Sequence, residues 1–214
     1  MSAGHDADGP GAAHTVTRMS ISPEDVYRRA ARVIARGQRL EVNALIDELH
    51  VSRATLFRKA GNREQILGEA IWMMADHSFG AAGARWRRAY GGAVRDGSGT
   101  LRCVRIITDH GAAIAADRGV RRLLDEEPKM AMRVLTDPFG AVQPRTIARI
   151  QQLIADDVRD AALAPIVALD DLSYAVVRLG ESMLYADILA GRRPNIENAN
   201  TLVAALITGV LPAR

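Results

Sequence analysis

The chain has 214 residues, is 48% hydrophobic and carries a formal net charge of +3, which is enough apolar matter for one large domain or a small one joined to a larger. Its single cysteine, Cys103, excludes a disulfide framework or a cysteine-based zinc site within the chain and suits a reducing cytoplasm. The first twenty residues lack the apolar centre of a signal peptide, and the longest apolar run, near 202–211, is too short to span a bilayer.

Helix signals dominate from there on. Residues 1–20, rich in Gly, Ala and Asp, read as a flexible tail. Ser22-Pro23-Glu24-Asp25 is a helix start: a capping hydroxyl, Pro at the first helical position and acids in the first turn. Val26, Ala30, Val33 and Ile34 then recur at helical spacing until Gly37. A second short helix is expected over 42–49, with Val42, Leu45, Ile46 and Leu49 on one face. A third is expected from Ser52 to about Lys59, broken at Ala60-Gly61-Asn62. Arg63 opens a longer helix running to about Tyr90, followed by a Gly-rich loop over 91–99. Further helices are expected over about 100–116, 119–126, 129–136, 144–163, 170–190 and 196–211, with Pro128, the Asp137–Gly140 turn, Pro165 and GRRPN as the breaks. No repeat and no alternating strand pattern interrupts them.

Two short helices meeting across Leu49-His50-Val51-Ser52 describe a helix-turn-helix. His50 has to take a left-handed backbone, which Gly would do more easily. Val51 is the apolar residue under the turn, and Ser52 caps the second helix. Leu56, with Ala54 or Phe57, would pack that helix on the first two. Arg53, Thr55, Arg58 and Lys59 are left for the outer surface, and it is the N-terminal residues of such a helix that reach base edges. The charge distribution agrees: residues 18–65 hold ten Lys or Arg against six Asp or Glu. A GC-rich genome also favours Arg codons, so the total Arg content says little by itself.

The segment VSRATLF followed by NREQIL resembles the TetR family of one-component transcriptional repressors. Val51, Ser52, Thr55, Leu56, Arg63, Glu64 and Leu67 match its pattern. Phe57 stands where a Tyr is common, Lys59-Ala60 replaces an aromatic pair, and GQRLEV lacks the Ser or Thr that normally caps the second helix. The resemblance implies an all-α protein with a flexible tail (1–20), a helix-turn-helix DNA-binding domain (21–66) and a helical ligand-binding and dimerisation domain (67–214). It implies a homodimer that binds a palindromic double-stranded operator and is released by a small-molecule effector. The DNA-contacting set is then Ser52, Arg53, Thr55, Phe57, Arg58, Lys59 and Arg63. Arg53 and Arg58 are assigned to base edges, and Thr55, Lys59 and Arg63 to phosphates.

The later helices give their own reasons for a sensor. Tyr174, Arg178, Glu181 and Tyr185 fall within about a 60° arc of one helix, flanked by Val177, Leu184, Ile188 and Leu189. A polar stripe on an apolar helix is costly unless paired. It either orients a ligand or is an internal Arg178–Glu181 bridge that fixes packing. His110 shares a face with Cys103, Ile107 and Ile114 and is a further ligand candidate, the alternative being a satisfied core histidine. Leu172, Val176, Leu179 and Met183, with Leu202, Ala205, Leu206 and Val210, form second apolar faces that predict a dimer through the last two helices. YAVVRLGESMLYADILAGRRPNIENA resembles the C-terminal region of the quorum-signal-degradation branch of the same family, which implies a lactone or acyl effector.

No GxSxG, HExxH, P-loop or dinucleotide fingerprint is present. No catalytic residue, metal or cofactor is therefore expected. The rival reading is a dimeric helical ligand- or protein-binding module without DNA binding.

Overall fold

The computed structural model describes residues 21–192 and 195–212. The expected 1–20 tail lies outside them, and so do the side chains of Leu184 and Ile188. The described residues form helices α1 (Pro23–Ala35), α2 (Val42–Leu49), α3 (Arg53–Ala60), α4 (Arg63–Tyr90) and α5 (Arg102–Ala116). These are followed by α6 (Arg118–Glu126), α7 (Pro128–Thr136), α8 (Gln143–Asp160), α9 (Leu169–Leu189) and α10 (Ile196–Val210). The all-α class is as expected, with no strand among the described residues. None of the helices is long and apolar enough to cross a membrane.

Local chemistry explains most boundaries. Ser22 accepts from the Asp25 amide while the Asp25 carboxylate accepts from the Ser22 amide, a complete capping box opening α1. Asn62 and Gln65 do the same for α4. Two ends differ from expectation. Helix α5 starts two residues late because Thr100 and Leu101 are used to close the preceding loop. The Asp96 amide donates to the Thr100 carbonyl at 3.1 Å, and the Arg102 amide donates to the Val94 carbonyl at 2.8 Å. Helix α8 stops at Asp160 rather than near 163. Ala162 takes a left-handed φ of 49°, and Leu163 folds back to donate to the Val158 carbonyl and bury its side chain.

Two apolar cores are strung along α4. Its 28 residues span about 42 Å. Its first turns bury Ile66, Leu67, Ala70 and Ile71 with α1–α3, α6 and α7. Its later turns bury Phe79, Ala82 and Trp86 with α5 and α8–α10. Asp157, fully buried on α8, pins the start of α5 by accepting from the Cys103 amide (2.7 Å) and Arg102 Nε (2.8 Å).

Helix α6 lies close against α1. A Cβ on Gly119 would lie 2.0 Å from the Ile34 carbonyl oxygen, so only glycine allows this seat. Arg122, one turn on, donates to the Gly37 carbonyl at 2.6 Å. Helix α6 is thus laid directly against the C-terminal end of α1.

Candidate functional site

The turn between α2 and α3 has the geometry the sequence demands. His50 sits at φ 51°, ψ 42°. The Val51 amide donates to the Ile46 carbonyl and the His50 amide to the Asp47 carbonyl, the hydrogen-bond pair that closes a helix through a left-handed residue. Val51 is half-buried against the first core. Ser52 Oγ accepts from the Thr55 amide at 3.1 Å and lies 2.9 Å from Thr55 Oγ1.

Helix α3 is held by Leu56 and Ala60, both buried. Ala54 and Phe57, the expected packing partners of Leu56, are exposed instead. The residue the sequence could not flag is Tyr27 of α1, whose hydroxyl donates to the Ala60 carbonyl at 3.3 Å. Ala60 is thus tied to α1 through its backbone, with its small side chain buried. The exposed face collects Ser52, Arg53, Phe57, Arg58 and Lys59, with Thr55 half-buried beside them. The Arg53 guanidinium stands 5.6 Å over the Phe57 ring, a cation–π distance that holds both side chains. Among the described residues neither Arg58 nor Lys59 has an ion-pair partner.

Arg63 is engaged within the chain. Its guanidinium makes a two-pronged bond to Glu127, both prongs at 2.8 Å, and its Nε donates to the Leu40 carbonyl at 3.0 Å. Arg39 reaches the same carboxylate at 3.2 Å. Hydrogen bonding from Arg63, and the charges of both arginines, hold the Glu127 carboxyl below its ordinary range. In this conformation Arg63 ties the start of α4 to the α6–α7 junction. These bonds use three of its five N–H donors.

The α9 stripe divides. Glu181 and Tyr185 line a cavity of about 130 Å³ enclosed chiefly by α5, α8, α9 and α10. Tyr174 (54% exposed) and Arg178 (50% side-chain exposure) do not line it. The arc is as narrow as the spacing requires, but different neighbours meet it at different heights. Tyr185 packs against the core that includes Val120 and Leu123 of α6, whereas Tyr174 has solvent beside it. Arg178 does bridge to Glu181, Nη1 to Oε2 at 2.7 Å. Glu181 is therefore paired from one side while its other contacts face the cavity.

His110 lines the same cavity. Its ring stacks on Phe79 at 3.6 Å, and its Nδ1 is buried with no hydrogen-bond partner among the described residues. Burial lowers its pKa to about 4, so the imidazole is neutral at pH 7. Burial, then the Glu181 charge, push the Tyr185 phenol upward, so it remains an O–H. Sequence reasoning missed Gln143, whose Nε2 donates to both Glu181 oxygens (2.9 and 3.2 Å), and Asn200. The only sequence signal for Asn200 was an amide on an otherwise apolar helix face, and Gln143 had none.

The faces expected to dimerise are partly used within the chain. Leu172 and Val176 belong to the second core. What α9 and α10 leave outside is Tyr174, Leu189 (45%) and Leu202 (43%), with Ala175 and Ala205 also exposed.

Comparison with known proteins fits this architecture. The model of the tetracyclin repressor-like C-terminal domain matches residues 98–208, more than half of the chain. The solved R. erythropolis transcriptional repressor QsdR from the TetR family superposes with a TM-score of 0.73 at 22% identity, covering 90% of this chain and 95% of that one. No curated protein sequence matches significantly. With its C-terminal helices matched by the family's own domain model, the chain belongs to the TetR family of transcriptional regulators.

Proposed function

We propose that this protein is a homodimeric, ligand-responsive transcriptional repressor, with residues 21–66 reading a palindromic operator and residues 67–214 sensing and dimerising. Two copies joined through α9 and α10 would present paired α3 helices to major grooves one turn, about 34 Å, apart. Arg53 and Arg58 are the base-reading candidates, and Thr55, Lys59 and Arg63 the phosphate contacts, Arg63 through the N–H donors its Glu127 pairing leaves over. The effector is a small, mostly apolar molecule of lactone or acyl type, bound among His110, Glu181 and Tyr185.

One observation carries the coupling: α6 is at once a wall of the cavity and the seat of the reading module. Val120 lines the cavity, Gly119 beside it rests on the Ile34 carbonyl of α1, and Glu127 just beyond the helix holds Arg63 at the start of α4. An effector that displaces Val120 shifts both contacts together. Such a shift requires the effector to bind one conformation more tightly than the other.

A gel shift with the DNA flanking the protein's own gene tests the reading. Retardation that weakens steeply with salt is expected. A folded dimer that retards no fragment at low salt would establish a helical binding module without DNA recognition.

A further inference from the structure

The cavity wall carries one anion, Glu181, and among the described residues that line it there is no Lys or Arg. The cation nearest in role, Arg178, pairs with Glu181 but is half-exposed and does not line the cavity. Every other polar group on the wall is uncharged at neutral pH: the His110 imidazole, the Tyr185 phenol, Thr146 and the Gln143 and Asn200 amides. The remainder is aliphatic. A carboxylate entering such a site would lose its water, meet no cation and lie near a like charge, and each of these disfavours it. A hydroxyl or amide N–H has the opposite experience, since the Glu181 carboxylate on the wall accepts. The volume also limits the guest. About 130 Å³ lies within walls that are partly open to solvent, room for a short apolar chain.

We propose that this cavity selects its effector by charge: it takes a compact, uncharged molecule with an apolar body and one hydrogen-bond donor, and it rejects the carboxylate of the same skeleton. The proposal rests on reading the cavity as the effector site. It narrows that reading from acyl or lactone molecules in general to neutral ones that carry a hydroxyl or amide N–H.

The test titrates the full-length protein at pH 7 with hexan-1-ol, hexanamide and hexanoate by isothermal calorimetry. The alcohol and the amide are expected to bind about tenfold or more tightly than hexanoate, the scale on which a nearby like charge acts. Glu181→Gln should narrow that gap by improving hexanoate. Should the variant not fold, the wild-type ratio decides alone. Gly180 also lines the cavity, and a Cβ there meets nothing within 4 Å. Gly180→Leu should therefore weaken all three ligands, and unchanged binding would put the site elsewhere and overturn the proposal. Hexanoate binding as tightly as the alcohol would overturn charge selection while leaving the effector site intact. If none of the three binds wild type, the effector-site reading fails and this proposal with it.

Discussion

The reading module and the cavity are built on opposite plans. In the α2–α3 unit the decisive contacts span three or four residues: the Ser52 cap on Thr55, the His50 turn, the Arg53–Phe57 stack. In the cavity they span whole elements, as in Gln143 to Glu181 or His110 on Phe79. The first plan makes a rigid, locally encoded surface. The second makes a site whose shape depends on how five or more helices settle together, and so one that a ligand can move. Helix α6, with Gly119 on one plan and Val120 on the other, is where the two meet.

The largest expected effect attacks that meeting point. Gly119→Ala places a Cβ against the Ile34 backbone rather than a flexible side chain. It should cost about 3 kcal/mol or force α6 off α1. Thermal unfolding measures the first outcome. The second would appear as weaker operator binding in a stable protein. A variant indistinguishable from wild type in both would mean that the two regions are not coupled through this contact.

Next comes acid sensitivity, which in the cavity rests on His110. The folded His110 refuses a proton until about pH 4, whereas its ordinary value is 6.5. Between these values the unfolded chain binds the proton and the folded chain does not, so stability falls as pH drops through that window. The loss is on the order of 3 kcal/mol by the bottom of it. Replacing His110 with Phe should flatten the profile there, measured by urea midpoint against pH. The same acidification should leave the turn and cap of α3 untouched until the Glu127 clamp begins to protonate. That carboxyl is lowered on folding, so its contribution is present above the ordinary value of 4.5 and is lost at lower pH.

On the reading side the effects are smaller and separable. Arg53→Ala or Arg58→Ala should each cost about 1–3 kcal/mol at the base pair it reads and relax preference there. Operator selection from a random pool would show this, and unchanged preference would remove that arginine from the base-reading set. Lys59→Ala should weaken all sequences alike and reduce the salt slope by about one, with no change in stability. Neither change should alter effector binding by the free protein.

The helices themselves were legible because their signals are short-range. Ser22, Ser52 and Pro128 act on amides or φ angles within a few residues, and the left-handed turn at His50 follows from the need to end α2 abruptly. The ends of α5 and α8 were misjudged where loops competed for the same backbone groups. The Tyr27 bond to the Ala60 carbonyl, thirty-three residues away, has no signature in the local sequence. Arg63 looked like a free cation because its partner, Glu127, is sixty-four residues away.

By itself, then, the sequence determined an all-α chain, the helix-turn-helix and the exposure of Arg53, Arg58 and Lys59 on α3, since periodicity and caps are properties of neighbours along the chain. Only the tertiary structure decided which members of the Tyr174–Tyr185 stripe face inward, what Arg63 holds, and that one carboxylate without a lining cation guards the cavity. Those outcomes depend on which distant helix lies opposite at each height, and a repeat of 3.6 residues per turn carries no record of that.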